Sequence, residues 1–273
     1  MSVGPLIQPF TDHYSRDCPT ISCILQPQHM TPPAFVHLPE LQGRLTPAHA
    51  CGLRLTDEVL AEWDAQARSQ GLPIDWRLPD GDVERSRRQV LAGVSERRDD
   101  LWVFAYGSLM WNPGLEFAEV RRAHLPGFAR RFALSTTIGR GTPDCPGLVL
   151  TLQRDAAQSC DGLVFRIPAC AVEEESRLLW RREMITGAYC PALLPLQTPQ
   201  GAVNQALVLT ANTAHPHYRG DLSMQATAAT IASACGRIGS NREYLDQLVT
   251  QFGVLGIEDP YVHALAEMVQ TAC

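Results

Sequence analysis

What this 273-residue chain lacks narrows its function first. None of its nine cysteines forms a C-x-x-C pair, which removes the usual zinc and thioredoxin-like arrangements. No apolar run approaches the roughly 18 residues of a spanning helix. The N-terminus has no basic stretch leading into an apolar core, so neither membrane insertion nor secretion is expected. Positive charge is also short: 23 Lys and Arg stand against 29 Asp and Glu, a net charge of −6. A nucleic-acid surface therefore has no electrostatic footprint here. Scattered thiols, odd in number, fit a reducing cytoplasm better than a disulfide framework. Hydrophobic content of 45% with 19% charge is that of a globular chain able to bury a real core.

Regular patterning is scarce at the start. Eight of the 20 prolines precede position 50, and no window there sustains a period of 3.6 or 2.0. We expect residues 1–54 to be irregular or disordered, and their removal to leave activity within a few-fold. Residues 55–99 read as a helical segment. Thr56 is a candidate N-cap for a helix ending near Gly71, and a second helix is expected from Val83 to Arg97. From residue 100 to 273 the chain reads as one domain, strand-rich first and helical later. Strands are expected near 101–106, 119–123, 129–137, 147–153, 161–167, 191–196 and 203–210, with a helix from Ala171 to about Met184 interrupting them. Three helices close the chain; Ser240 and Glu243 make a capping box for one, and Asp259 with Pro260 opens the last. Strands gathered before helices argue for α+β.

The most informative segment is Val103, Phe104, Ala105, Tyr106, Gly107, Ser108 and Leu109. A β-type apolar run stops abruptly at Gly-Ser, and glycine takes backbone angles that other residues avoid. A strand ending this way can leave consecutive N–H groups pointing one way, a nest for a carboxylate or an oxyanion. An ordinary strand-to-turn junction would look the same.

Further along stand Trp111-Asn112-Pro113-Gly114, Arg130-Arg131-Phe132, Gly139-Arg140-Gly141-Thr142-Pro143 and Pro146-Gly147-Leu148-Val149. Then come Leu179-Trp180-Arg181-Arg182-Glu183-Met184, His215-Pro216-His217-Tyr218 and Asn241-Arg242-Glu243-Tyr244-Leu245. In this order, over roughly residues 100–272, the chain resembles the ChaC branch of the γ-glutamylcyclotransferases. The resemblance implies a small mixed β-barrel of about six to seven strands with helices packed outside. It implies cleavage of glutathione to 5-oxoproline and cysteinylglycine, a small-molecule substrate, with no metal and no cofactor. Other γ-glutamyl amines, or binding without catalysis, are the alternatives. Position 105 is Ala where that family more usually has glycine, a methyl expected to narrow the pocket.

Glu183 is the expected acid/base. Glu173, Glu174 and Glu175 open its helix, where carboxylates suit the positive end of the dipole and read as a solvated start. Gly187 is a stop signal, so Glu183 falls in the last turn, at the negative end; shielding from water would add to the upward push on its pKa. A surface glutamate paired with arginine is the other reading. Arg181 and Arg182 would oppose the shift, but adjacent helix positions face different directions. Arg140, between two glycines, is either a solvated loop charge or a bidentate partner for a substrate carboxylate. Tyr106 and Tyr189 are each either core aromatics or substrate contacts. His215 and His217 read as a surface turn and not as metal ligands, and Gly-Ser-Leu lacks the second glycine of a nucleophile elbow around Ser108.

Overall fold

The computed structural model describes residues 32–271. Five strands form a closed barrel: β1 (Leu101–Ala105), β2 (Glu119–Thr136), β3 (Gly147–Ile167), β4 (Tyr189–Thr198) and β5 (Gly201–Ala211), in the order β1-β3-β2-β4-β5. Neighbours are antiparallel except at the closure, where β5 runs parallel to β1 with Val103 opposite Leu207. Val103, Phe104, Leu150, Val164, Phe165 and Leu207 are among the side chains buried at the centre. A barrel has no open edge, so these β-branched and aromatic runs satisfy every ladder without exposing a row of N–H groups.

The α+β class stands, but the barrel has five strands where six to seven were expected. The strands expected at 119–123 and 129–137 are one, β2, and those expected at 147–153 and 161–167 are one, β3, because the chain stays extended through 124–128 and 154–160. Gly127, at φ +79°, carries a bulge where the β2–β3 register slips between Pro126 and Phe128. The bulge bends the hairpin without ending it. The middle of β3 is exposed because that ribbon projects into solvent, which explains its polar composition.

Helices α1 (Asp57–Ser69) and α2 (Asp80–Arg97) precede the barrel. The Thr56 hydroxyl accepts from Val59 N–H at 3.5 Å, so α1 begins where its cap residue predicts. Helix α3 (Val172–Glu183) links β3 to β4. Helices α4 (Met224–Ser233), α5 (Asn241–Leu255) and α6 (Pro260–Thr271) pack together, and the short hairpin β6 (Cys235–Gly236) and β7 (Gly239–Ser240) leads into α5. The capping box of Ser240 and Glu243 is present. Leu245, Leu248, Phe252 and Leu255 give α5 its buried stripe.

Residues 1–31 of the expected irregular extension lie outside the described residues. Residues 32–54 are irregular, with 3₁₀ turns at Pro32–Phe35, Pro39–Leu41 and Ala48–Ala50. They are not a disordered tail. Ala34, Phe35, Leu38, Leu41 and Leu45 are buried in the main core, and Phe35 packs edge-on to Phe117 at 5.8 Å. Apolar side chains spaced without period still bury well when the backbone follows a groove, so low periodicity did not mean low burial.

The strap also corrects the solvated reading of the acidic triplet at Glu175, while Glu173 and Glu174 are exposed as expected. Glu175 is buried and grips Arg54 through two bonds of 2.6 and 2.7 Å, while also accepting from Glu116 N–H at 3.1 Å. Glu173 pairs with the buried Arg87 of α2 at 2.5 Å. Only Glu174 keeps a surface partner, Arg177.

Candidate active site

A cavity of about 490 Å³ opens beside the barrel, between the C-terminal end of α3, the Ser108–Met110 turn, the end of β2 and the start of α5. Glu183, Arg182, Ser108, Tyr189, Tyr244 and Arg140 all line it.

Glu183 is the last residue of α3, and Gly187, at φ +75°, turns the chain away after it. Its side chain is only 14% exposed. Burial pushes its carboxyl above the usual glutamate range, and the neighbouring Arg182 offsets part of that rise. Arg182 Nε lies 2.9 Å from Glu183 Oε1, yet that oxygen has no hydrogen-bond partner. Tyr106, Tyr189 and Tyr244 surround it closely enough for its charge to raise the pKa of all three phenols. Glu183 thus sits among neutral aromatic groups that exclude water.

The expected binding segment divides. Val103, Phe104 and Ala105 belong to β1 and are buried in the barrel core. The Ala105 methyl therefore narrows nothing in the cavity; Ala105 pairs with Leu163, and a Cβ on Gly162 would strike the Ala105 carbonyl oxygen. Tyr106 donates to Leu209 O at 2.7 Å, a buried aromatic with a satisfied hydroxyl. Leu109 is buried in the core, and only Ser108 of the segment lines the cavity. Gly107 has φ −138°, so it is not there for a left-handed angle. It is there for space: a Cβ would come within 3.0 Å of the Tyr244 hydroxyl.

The turn at Ser108–Met110 closes with Met110 N–H on Gly107 O at 2.8 Å. The first N–H groups of such a turn have no partner inside it. The N–H of Ser108 faces the Tyr244 hydroxyl, as does that of Leu150. Ser108 Oγ accepts from Arg182 Nη2 at 3.1 Å, and no histidine among the described residues hydrogen-bonds to it.

Arg140 occupies a loop that only glycines allow. Gly139 has φ +98°, and a Cβ on Gly141 would strike Gly147 N at 2.1 Å. The Arg140 guanidinium stands over the Tyr244 ring at 5.7 Å and donates to Ser240 O at 3.0 Å, while its Nε is buried without a partner. It is not a solvated loop charge. Tyr189 lines the cavity and donates to Leu150 O at 2.8 Å. His215 Nε2 reaches Thr186 O at 2.9 Å, and its Nδ1 accepts from His217 N–H at 3.1 Å. A carbonyl can only accept and an amide N–H only donate, so both nitrogens are in use and the tautomer is fixed.

Sequence reasoning missed two participants. Arg182 was expected to face away from Glu183, but its long side chain folds back and links Glu183 with Ser108. Tyr244 lies on the first turn of α5, at the edge of the Leu245–Leu248–Phe252 stripe, and its phenol is pushed up to about 12 by burial and then by Glu183. Its position one residue before that stripe was the available signal.

A ChaC-like protein family model matches residues 101–272. The chain belongs to this family. Among its relatives is the glutathione-specific γ-glutamylcyclotransferase of Escherichia coli K12, 38% identical over 190 residues, which are 69% of this chain and 81% of the relative. The human glutathione-specific γ-glutamylcyclotransferase 1 is 31% identical over 176 residues, 63% of this chain and 79% of the relative. The crystal structure of the yeast γ-glutamylcyclotransferase specific to glutathione superposes with a TM-score of 0.56 at 26% identity, covering 63% of this chain and 99% of the yeast chain. No helix of the described residues is long and apolar enough to cross a membrane.

Proposed function

We propose that this protein is a glutathione-specific γ-glutamylcyclotransferase and that Glu183 is its general acid/base. The observation that carries the reading is a single carboxylate at the cavity wall, raised in pKa by burial, with its Oε1 buried and without a hydrogen-bond partner. One carboxylate suffices because the substrate brings its own nucleophile. The α-amine of the γ-glutamyl group closes a five-membered ring on the γ-carbonyl carbon, forming a C–N bond, and the bond to the cysteinyl nitrogen breaks. Glu183 takes one proton from the ammonium group before attack and a second from the ring nitrogen after it, and returns each in turn to the departing nitrogen, which leaves as the ammonium of cysteinylglycine beside neutral 5-oxoproline. Holding the folded conformer removes an entropy cost before the chemistry begins. The Ser108 N–H, with the Tyr244 hydroxyl beside it, is suited to the developing oxyanion. Arg140, with its unpartnered Nε, suits a substrate carboxylate. So written, the reaction needs neither a metal nor a cofactor.

The described cysteines Cys51, Cys145, Cys160, Cys190 and Cys235 are free thiols, which supports work in the reducing cytoplasm. The deciding experiment is release of 5-oxoproline from glutathione by the purified full chain, with EDTA present. Preference for γ-Glu-Ala or γ-glutamyl-lysine would move the reading to another cyclotransferase. Calorimetric binding of glutathione without product would make the protein a binder only.

A further inference from the structure

Residues 46–76 lie outside the family match, yet they build one wall of the cavity through Thr46, Leu53, Trp63, Leu72 and Trp76. The strap is pinned around the mouth on several sides. Thr46 N–H donates to Trp111 O at 2.9 Å, and Leu78 N–H, just beyond the wall, donates to Ile185 O at 2.8 Å. Arg237, in the turn between β6 and β7, reaches Gln66 Oε1 at 2.7 Å and stands 5.8 Å from the Trp63 ring. With the Arg54–Glu175 pair, these contacts fix the wall instead of leaving it a loose flap.

The wall is chemically distinct from the floor. Leu53, Trp63, Leu72 and Trp76 are all half-buried, so their apolar carbon borders space a ligand can fill. Trp76 spends its indole N–H on Asp64 Oδ1 at 3.0 Å, which leaves a carbon surface for the cavity. On the reading above, the γ-glutamyl end sits at Glu183 and Ser108. Arg140, under the β6–β7 hairpin, takes the glycyl carboxylate, and one tyrosine ring, Tyr244, connects the two positions. The single branch between those ends is the cysteinyl side chain, and the strap is the wall left to it.

We propose that the strap receives the substituent on the cysteinyl sulfur, and that the protein also cyclises glutathione S-conjugates carrying an apolar group. This rests on the cyclotransferase reading. The bonds change as before: the α-amine attacks the γ-carbonyl, and S-substituted cysteinylglycine leaves with the protons returned by Glu183. The sulfur takes no part.

The test compares glutathione, S-methylglutathione and S-hexylglutathione on the full chain, by calorimetry and by 5-oxoproline release. S-hexylglutathione is expected to bind about tenfold more tightly than glutathione and to be converted. Trp63→Ala and Trp76→Ala should each reduce the S-hexyl to glutathione affinity ratio several-fold, with Trp63→Phe restoring most of it. Because the ratio is taken within each variant, partial loss of folded protein cancels. Weaker binding of S-hexylglutathione than of glutathione, or an unchanged ratio in both alanine variants, overturns the proposal. If glutathione is converted and S-hexylglutathione is not, conversion of S-conjugates fails while the cyclotransferase reading stands. If neither yields 5-oxoproline, the cyclotransferase reading fails, and conversion of S-conjugates fails with it.

Discussion

Arg182 Nε stands 2.9 Å from Glu183 Oε1 without forming a hydrogen bond to it. The guanidinium spends its N–H groups elsewhere, on Asn112 O at 2.8 Å, Pro113 O at 3.3 Å and Ser108 Oγ at 3.1 Å. Charge is therefore offset in part while Oε1 stays buried and without a hydrogen bond. A proton acceptor gains from that combination, since a carboxylate held in a bidentate grip is satisfied as its ion and has no raised proton affinity.

Glu183→Gln should lower kcat by at least about 10²–10⁴-fold, the usual contribution of a general acid/base. KM should move little. The same variant should be more stable at neutral pH. Glu183 has a raised folded-state pKa, so its contribution to stability is full below the unfolded-state pKa and is lost as pH rises through the folded one. Gln is neutral throughout. Its Tm advantage should be a few degrees at neutral pH, about 1 kcal/mol corresponding to roughly 2–4 °C in a chain of this size, and should vanish in acid.

The pH–rate profile reports the same group from the other side. Activity should fall as pH drops through the raised pKa of Glu183, earlier than an ordinary glutamate would require. Arg182 holds that pKa down, so Arg182→Met should move the acid limb to higher pH. A limb that stays in place in this variant would remove Glu183 as the group being titrated.

Tyr244→Phe deletes the hydroxyl that faces the N–H groups of Ser108 and Leu150. One lost hydrogen bond of about 1–2 kcal/mol predicts a loss on the order of 10-fold in kcat. Ser108→Ala keeps the backbone N–H groups and should cost a similar amount. A dead Ser108→Ala beside a nearly normal Glu183→Gln would reinstate a serine nucleophile.

Arg54→Ala leaves Glu175 buried and unpaired, which should cost about 3–5 kcal/mol in thermal or urea unfolding. Replacing both residues, as Arg54→Met with Glu175→Leu, should recover most of that loss. Removal of residues 1–54 should be worse than Arg54→Ala, because it also uncovers Phe117 and the core around Leu41.

The elements that declared themselves were those whose cause is local. Thr56, Gly187, Ser240 and Glu243 act on the backbone within a few residues, and the alternating leucines of β3 mark their own face. Glu183 stood out because a carboxylate at the wrong end of a helix needs a reason and because it falls in the family-like run Leu179–Met184. What failed to show were relationships set by distant chain. Glu175 looks like a surface residue until Arg54 covers it, 121 positions away. Gly107 looks like a turn glycine until Tyr244 fills the space a methyl would need. The strap has no period because it follows a groove and not its own axis. The continuity of β2 is hidden because the bulge at Gly127 mimics an ending, and that of β3 because its polar middle projects into solvent.

Closure of the barrel has a consequence in time. Val103 must wait for Leu207, its parallel partner about a hundred residues further along, while the chain is made N-terminus first at roughly 5–20 residues per second. Tyr244 comes later still. For several seconds of synthesis the nascent chain carries Glu183 with no closed barrel around it. Its proton affinity in that interval is that of an ordinary glutamate, and an enzyme made this way is inert until nearly all of it exists.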